Sequence, residues 1–419
     1  MTTDGFRQYL PADDDPRITD LRGLGTYEYA EYVKSDPFAG PMIAGWAELY
    51  PEPFTGITHD GHVAEGLFEI KQPSDVRRAP TMSMVAAAGK LLEMLSVDDR
   101  AKLTYPLGAH EWRSWANPEF LQHNPGLRLD ELSDEVRDKC LGVIKASLSK
   151  KGFALVRDLM KINAFMGDLV DLPVILGEYS YNLSIFGTPD DNEAWGWNFF
   201  GHHIAVNCLV VAGQMVVSPV FLGAEPSSVD EGPLKGTRVF DDRIVTAHRL
   251  IGELTDKQRA QARTFEHMID PAMPEGRVHS GDERHLGGAF QDNRIIPKEG
   301  TKVRDMSRKA RKHLRTIVDQ FLVLLPDGPA DDRREQILEH FDDTWFTWIG
   351  GFEPEDPFYF RVQSPVVILE LDHHCGVFLT NDEPMPFHIH TVIRTPNGND
   401  YGRALIAQHL GPDAALPGD

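Results

Sequence analysis

The spacing of hydrophobic residues predicts amphipathic helices in several parts of the chain. Apolar side chains in residues 81–95 recur three and four positions apart, which places them on one face of a helix. Residues 129–148 and 307–325 show the same period. At three points a Ser or Thr follows an apolar residue and precedes a polar run, a pattern typical of a helix N-cap: these are Ser96, Thr255 and Ser307.

Alternating polar and apolar positions predict strands elsewhere. Residues 179–187 alternate, and residues 195–211 and 214–222 predict a hairpin with Ala212-Gly213 at its turn. Helices and strands are interspersed without a regular strand-helix-strand repeat, and no Gly-x-Gly-x-x-Gly follows a strand. We therefore predict an α+β fold, a mainly antiparallel sheet with surrounding capped helices. Three more strands are expected at residues 359–363, 366–374 and 387–394.

The same patterns suggest how the chain is divided. Residues 1–75 are rich in Pro, Gly, Asp and aromatic residues and show no long period, so we expect an irregular segment that wraps around the main body. Residues 76–410 are predicted to form a single α+β catalytic domain. Residues 411–419 are expected to be a flexible tail.

Charge and cysteine content narrow the class of protein. The 419 residues carry 64 acidic and 42 basic side chains, a formal net charge of -22. Such a surface repels phosphate backbones and anionic lipids, so we expect no nucleic-acid or membrane partner, but a small-molecule substrate. The three cysteines are far apart and form no Cys-x-x-Cys, which argues against a disulfide framework. With no signal-peptide pattern or long apolar run, a cytoplasmic location is predicted, and a homo-oligomer is left open.

The densest group of chemically active residues lies near the C-terminus. His388 and His390 alternate on a predicted strand and therefore share one face. On the preceding strand Asp372 and His374 share a face, whereas His373 points to the other. Neutral imidazoles with a carboxylate suit zinc or non-haem iron. We predict a divalent transition metal held by His388, His390 and one of His373 or His374.

Other interpretations of this group stay open. Asp372 or Glu370 would be a fourth ligand or would orient a ligand through a hydrogen bond. A metal-free polar layer between strand and loop is the first alternative. A metal-free site in which one histidine acts as general base is the second.

A second histidine pair lies in the predicted strand at residues 195–211. His203 and Asn207 would share a face there, with His202 on the other. Either histidine could complete the metal shell or act as general acid or base. Trp195 and Trp197 would provide an apolar wall, unless they are core residues and the histidines are buried and hydrogen-bonded.

Two arginines and an aspartate are candidates for substrate binding. Arg361 and Arg394 could bind an anionic substrate through paired hydrogen bonds. Asp400 could orient a metal-bound histidine. The alternatives are structural ion pairs for the arginines and turn capping for Asp400. Residues 285–294 form a polar loop that either faces the substrate or is structural.

The sequence lacks the signatures of several catalytic classes. It contains no Gly-x-Ser-x-Gly, no phosphate-binding Gly-x-x-x-x-Gly-Lys, and no His-Glu-x-x-His. Metal-assisted chemistry on a small organic substrate, aromatic or carboxylated, is the simplest hypothesis. Zinc would activate water as in a hydrolase, and iron would activate oxygen as in an oxygenase. A non-catalytic small-ligand-binding protein with a histidine and aromatic pocket is the alternative, and an interaction protein without a pocket is a third.

Several short motifs are distributed along the second part of the chain. They are Ile185-Phe186-Gly187-Thr188-Pro189, Trp195-Gly196-Trp197, Gly201-His202-His203, Trp348-Ile349-Gly350-Gly351, Phe358-Tyr359-Phe360-Arg361, His388-Ile389-His390 and Asp400-Tyr401-Gly402. In combination they resemble an uncharacterised bacterial family, the domain of unknown function 3500. The resemblance runs from about residue 80 to residue 410 and implies one continuous domain. It implies no activity, and some relatives carry export signals that this chain does not show.

Overall fold

The computed structural model describes residues 3–411, and within that range the chain forms twelve strands. The predicted tail, apart from residue 411, lies outside the described residues. The strands are β1 Thr104–Tyr105, β2 Leu127–Arg128, β3 Tyr181–Phe186, β4 Trp195–Gly201, β5 Ile204–Val211, β6 Gln214–Ala224, β7 Arg263–Phe265, β8 Thr301–Lys302, β9 Trp345–Gly350, β10 Phe358–Gln363, β11 Ile368–His373 and β12 Ile389–Arg394.

Twelve α-helices are found in the same described range. None of them is long and apolar enough to span a membrane. They are α1 Pro16–Thr19, α2 Thr26–Tyr32, α3 Ala39–Leu49, α4 Thr81–Met94, α5 Val97–Leu103, α6 Asp134–Ser147, α7 Lys150–Leu169, α8 Asp241–Gly252, α9 Asp256–Ala262, α10 Arg308–Phe321, α11 Asp327–Glu339 and α12 Arg403–Leu410.

All the described strands belong to one sheet. Its main path runs β1-β3-β4-β5-β6-β12-β11-β10-β9-β7, with β2 beside β3 and β8 beside β9. Only two of the described pairings, β1 with β3 and β7 with β9, are parallel. The α+β class and the mainly antiparallel sheet are therefore confirmed. β12 lies between β6 and β11, which brings strands far apart in sequence next to the histidine segment.

The helix caps follow the prediction only in part. Ser96, Thr255 and Ser307 each accept a hydrogen bond from a backbone N–H in the first turn of the helix that follows. In contrast, α3, α4 and α8 begin without a side-chain cap. Some of the described helices around the sheet therefore begin with a side-chain cap, and others do not.

The predicted strand at residues 195–211 is wrong. The chain turns at His202-His203, so β4 and β5 pair with each other as a hairpin in which Gly201 lies opposite Ile204. His203 has a φ of 62°, the left-handed conformation that the turn requires. The sequence gives a weak signal for this turn because both strands are buried and apolar and neither central residue of the turn is Gly or Asn; Gly201 lies directly before it. The next turn, at Ala212-Gly213, is confirmed, with φ values of 50° and 80°.

The two faces of the sheet have different chemistry. The apolar face packs against helices: the rings of Phe360 and Phe321 are 6.1 Å apart, and Trp197 Nε1 donates to Ser147 Oγ of α6 over 2.9 Å. Because side chains alternate along a strand, the neighbours of these residues face the other way. That second face is polar and includes Arg361 and His390. Loops at residues 266–300 cover it.

The N-terminal segment contains α1, α2 and α3, which the absence of a long period did not predict. Phe6, Trp46 and Ile57 are buried, so the segment packs onto the rest of the chain. Trp46 stacks on His279 of the covering loop at a ring distance of 5.6 Å. The division into wrapping segment, catalytic domain and tail stays a prediction.

Candidate metal centre

Five buried imidazoles meet on the polar face of the sheet. His203 lies in the β4–β5 turn, and His285 lies in the covering loop at residues 266–300. His374 is the first residue after β11. His388 directly precedes β12, and His390 is the second residue of that strand. None is more than 4% exposed. We call these five residues the histidine cluster.

Sheet pairing brings the cluster together. β11 and β12 are antiparallel and place Asp372 opposite His390. On its other side His390 lies opposite Gly223 of β6. A Cβ atom at Gly223 would lie 2.7 Å from Cδ2 of His390 and 2.8 Å from Cδ2 of His203. The glycine therefore gives both rings the space to approach each other.

His388 and His390 place two ring nitrogens face to face. Their Nε2 atoms are 3.0 Å apart, and Nδ1 of His388 lies 2.6 Å from the carbonyl oxygen of Cys375. A carbonyl only accepts hydrogen bonds, so Nδ1 of His388 carries the proton and Nε2 keeps its lone pair. Two ligands at about 2.0–2.1 Å from one ion are about 2.9–3.4 Å apart, so the observed spacing fits a shared ion.

Three sets of side chains bring donor atoms within 4.8 Å of one another. The first is His203, His388 and His390, and the second is His285, His374 and His390. The third joins His374 to Asp372 and Glu283. The sets overlap, since His390 belongs to two of them and His374 to two. The cluster thus extends along the sheet and has more donors than one tetrahedral ion needs.

Carboxylates surround the cluster. Asp372 Oδ2 is 3.2 Å from Nε2 of His374, and Glu370 Oε2 is 3.8 Å from Nδ1 of His285. Arg284 Nε donates to Asp372 Oδ1 over 2.7 Å. Glu370 also accepts from the Tyr359 hydroxyl at 2.6 Å. These contacts hold the carboxylates in place beside the imidazoles.

Electrostatics favour neutral imidazoles and ionised carboxylates here. Burial lowers the pKa of His203, His374 and His390 well below the usual value. Burial by itself would raise the pKa of Glu370, but His285 and the hydrogen bonds to Glu370 outweigh it and lower that pKa to about 2. These three imidazoles are therefore in the neutral form, which binds transition metals. For His285, burial by itself would lower the pKa, but the nearby carboxylate of Glu370 outweighs it and raises that pKa.

Two of the sequence candidates lie beside the cluster and not in it. His202 stacks on His203 at a ring distance of 3.8 Å, and its Nδ1 lies 2.7 Å from Oδ1 of Asn163 in α7. His373 occupies the helix-facing side, where Nδ1 accepts from the backbone N–H of Phe358 at 3.0 Å. Of the pair that the sequence left open, His374 is the one that joins the cluster.

Arg394 and Asp400 form an ion pair outside the cluster. Arg394 Nε donates to Asp400 Oδ2 over 2.7 Å, and Nη2 bonds to Asp292. The remaining Arg394 nitrogen donates to the carbonyls of Gly287 and Gly288. Arg394 thus ties the loop that carries His285 to the sheet.

Arg361 has a different environment. It is fully buried and lies opposite Glu370 in the β10–β11 pairing. Its Nη2 donates to Glu299 over 2.8 Å. Among the described residues, Nε and Nη1 have no hydrogen-bond partner. These two donors are the ones available to an anionic group.

The aromatic wall predicted from Trp195 and Trp197 is not beside the cluster, because Trp197 faces α6 on the other side of the sheet. A cavity of about 530 Å³ also lies away from it, between residues 66–77 and α11, and no cluster histidine lines it.

Sequence reasoning missed the ligands and partners that come from loops. His285 was singled out only as part of a polar loop, and Glu283, Arg284 and Glu225 were not singled out. The run Asp282-Glu283-Arg284-His285 is a signal that could have pointed to this loop. Its distance of almost ninety residues from Asp372 gives no hint of contact.

A comparison with known protein families identifies the family of this chain. A family model described as a protein of unknown function (DUF3500) matches residues 77–403. The chain belongs to the DUF3500 family. The DUF3500 region includes all five residues of the histidine cluster. No curated protein and no solved structure matches the chain.

Proposed function

We propose that this DUF3500 protein is a metal-dependent enzyme that acts on a small organic substrate. The ion is held by His203, His388 and His390. The observation that carries the proposal is the 3.0 Å approach of two Nε2 atoms when Nδ1 of His388 is already committed to a carbonyl. An ion between the two nitrogens uses both lone pairs.

Zinc and water activation are favoured over iron and oxygen activation. This donor set has three imidazoles, which zinc accepts while keeping a fourth position for water or substrate. A non-haem iron oxygenase would use two histidines and a carboxylate. The carboxylate within 4 Å of a proposed ligand, that of Glu225, lies 3.8 Å from Nδ1 of His388, which is the nitrogen that faces the Cys375 carbonyl. Zinc at this position supplies Lewis-acid chemistry.

The surrounding residues orient the ligands. The Cys375 carbonyl holds the tautomer of His388, and His202 supports the ring of His203 by stacking. The unpaired donors of Arg361, opposite Glu370, support a carboxylated substrate.

Metal analysis of matched variants tests the proposal. We expect at least one zinc or iron per chain in the full-length protein by ICP-MS after dialysis. His388→Ala should lower the metal content, and His373→Ala should not, because His373 is an equally buried histidine on the other face. Circular dichroism checks that each variant is folded. A folded parent protein that carries no metal and takes up neither zinc nor iron would refute the proposal.

A non-catalytic metal site is the second candidate, favoured by the low exposure of the five histidines. Cobalt substitution separates the two. A spectrum that changes when small anions or carboxylates are added indicates an open position and supports catalysis. A spectrum that stays unchanged indicates a closed shell and a structural role.

A further inference from the structure

We infer that the histidine cluster binds a second metal ion, held by His285, His374 and His390. This inference rests on the proposed function, because it assumes that the first ion lies at His203, His388 and His390. His390 is shared by the two positions. The centre would then be binuclear. One of its ligands, His285, comes from a loop that is distant in sequence from the strands.

The geometry of the second set is comparable to that of the first. Its donor atoms all lie within 4.8 Å of one another. The ring of His374 is 3.8 Å from that of His390 and 5.7 Å from that of His285, centre to centre. The rings of His285 and His390 are 6.3 Å apart and parallel within 9°. Three imidazoles therefore converge a second time, on the side of His390 where β11 lies.

Ring nitrogens without partners mark this position. Both ring nitrogens of His285 and Nδ1 of His390 are buried and have no hydrogen-bond partner among the described residues, and Nε2 of His374 has an ion-pair contact with Asp372 at 3.2 Å but no hydrogen bond. Leaving a buried polar group without a partner is unfavourable. An ion at His203, His388 and His390 does not satisfy these nitrogens. A second ion would use a lone pair from each of the three rings.

His390 has the atoms to serve both positions. Its Nε2 faces Nε2 of His388, which leaves Nδ1 as the nitrogen without a partner. The two nitrogens of one imidazole point in different directions, so one ring can bind two ions once it has lost its proton. That proton is released to solvent when the second ion binds.

Local charge also favours bound cations. Four carboxylates, those of Glu225, Glu283, Glu370 and Asp372, each have an oxygen within 3.8 Å of a ring nitrogen of the cluster. One guanidinium, that of Arg284, pairs with two of them. A second guanidinium, that of Arg361, lies opposite Glu370. The four carboxylates outnumber these two guanidiniums, and buried charge without a partner is unfavourable, so this region favours bound cations.

The test is the number of zinc ions bound per chain. Apo-protein is titrated with zinc, freed of excess by gel filtration, and analysed by ICP-MS, with His285→Gln and His203→Gln beside the parent. We expect two ions per chain in the parent and one in each variant. His373→Ala, the control on the opposite face, should retain two. Thermal denaturation of the apo-proteins checks the fold, and His374→Gln replaces His285→Gln if the latter does not fold.

The outcomes separate this inference from the proposed function. One ion in the parent and one in His285→Gln would overturn the second position and leave the proposed function standing. Two ions in both the parent and His285→Gln would overturn the assignment of His285. No ion in any folded sample would refute the proposed function and the second position with it.

Discussion

Replacing Gly223 by alanine tests the metal centre without removing a ligand. The added Cβ atom would lie 2.7 Å from Cδ2 of His390 and 2.8 Å from Cδ2 of His203. Favourable contacts between carbon atoms begin at about 3.5 Å, so both rings must move by roughly 0.7 Å or more. Gly223 lies in a regular β-strand and is not among the residues with positive φ, so the backbone itself accepts alanine.

A displacement of this size is large for metal ligands. Distances in metal sites hold to within about 0.2 Å, so His203 and His390 cannot both keep their places on one ion. Changes that misplace a ligand typically reduce metal affinity about 10–100-fold, equivalent to about 1.4–2.7 kcal/mol. We also expect the free energy of unfolding of the apo-protein to fall by about 1–3 kcal/mol from overpacking.

The assay is a competition titration of apo-protein against a coloured zinc chelator. Gly152→Ala is the matched control, because its Cβ would lie 2.6 Å from Cα of Leu324, away from the histidine cluster. It should lower the free energy of unfolding and leave zinc affinity unchanged. If Gly223→Ala lowers the free energy of unfolding but binds zinc as tightly as the parent protein, the rings beside Gly223 are not ligands and the reasoning fails.

Three further results are expected. Arg394→Met should lower the free energy of unfolding by about 3–5 kcal/mol, measured in urea, because Asp292 and its other partners lose a buried cation; unchanged stability would contradict this structural role. Burial lowers the pKa of His123 to about 4, so the folded protein excludes a proton that the unfolded chain binds below pH 6.5. The neutral imidazole therefore contributes stability above pH 6.5, and this contribution is lost as the pH falls towards 4. Between pH 7 and pH 5 the parent should therefore lose about 2 kcal/mol more than His123→Phe, and equal losses would argue against the buried neutral imidazole. Trp197→Phe should cost about 1–3 kcal/mol by removing the bond to Ser147 while leaving zinc binding intact; loss of zinc would contradict the assignment of this residue to the helix-facing side.

Alternation along single strands predicted part of the candidate site well. His388 and His390 share a face, and Asp372 and His374 share a face on the strand beside them. These relations depend only on the two-residue period of a strand and on the pairing of neighbouring segments. The same rule failed at residues 195–211, because it assumed a continuous strand where the chain turns at His203.

The roles of the arginines could not be derived from local patterns. Arg394 and Arg361 both looked like anion anchors in the sequence. In the fold Arg394 donates to Asp400, Asp292 and two loop carbonyls, whereas Arg361 keeps two buried donors without partners among the described residues. Their difference comes from which loops cover the sheet at each place.

Periodicity in the sequence predicts the α+β class, the strands β3, β6, β10, β11 and β12, and the three histidines of the C-terminal segment that face one way. These features follow from periodic burial, which is a local property of the chain. That His203 and His285 join them follows from the three-dimensional fold, since β12 pairs with β6 and a loop almost ninety residues away folds over β11. Contacts of this kind depend on the order of strands in the sheet and on the path of the loops, and no period in the sequence records either.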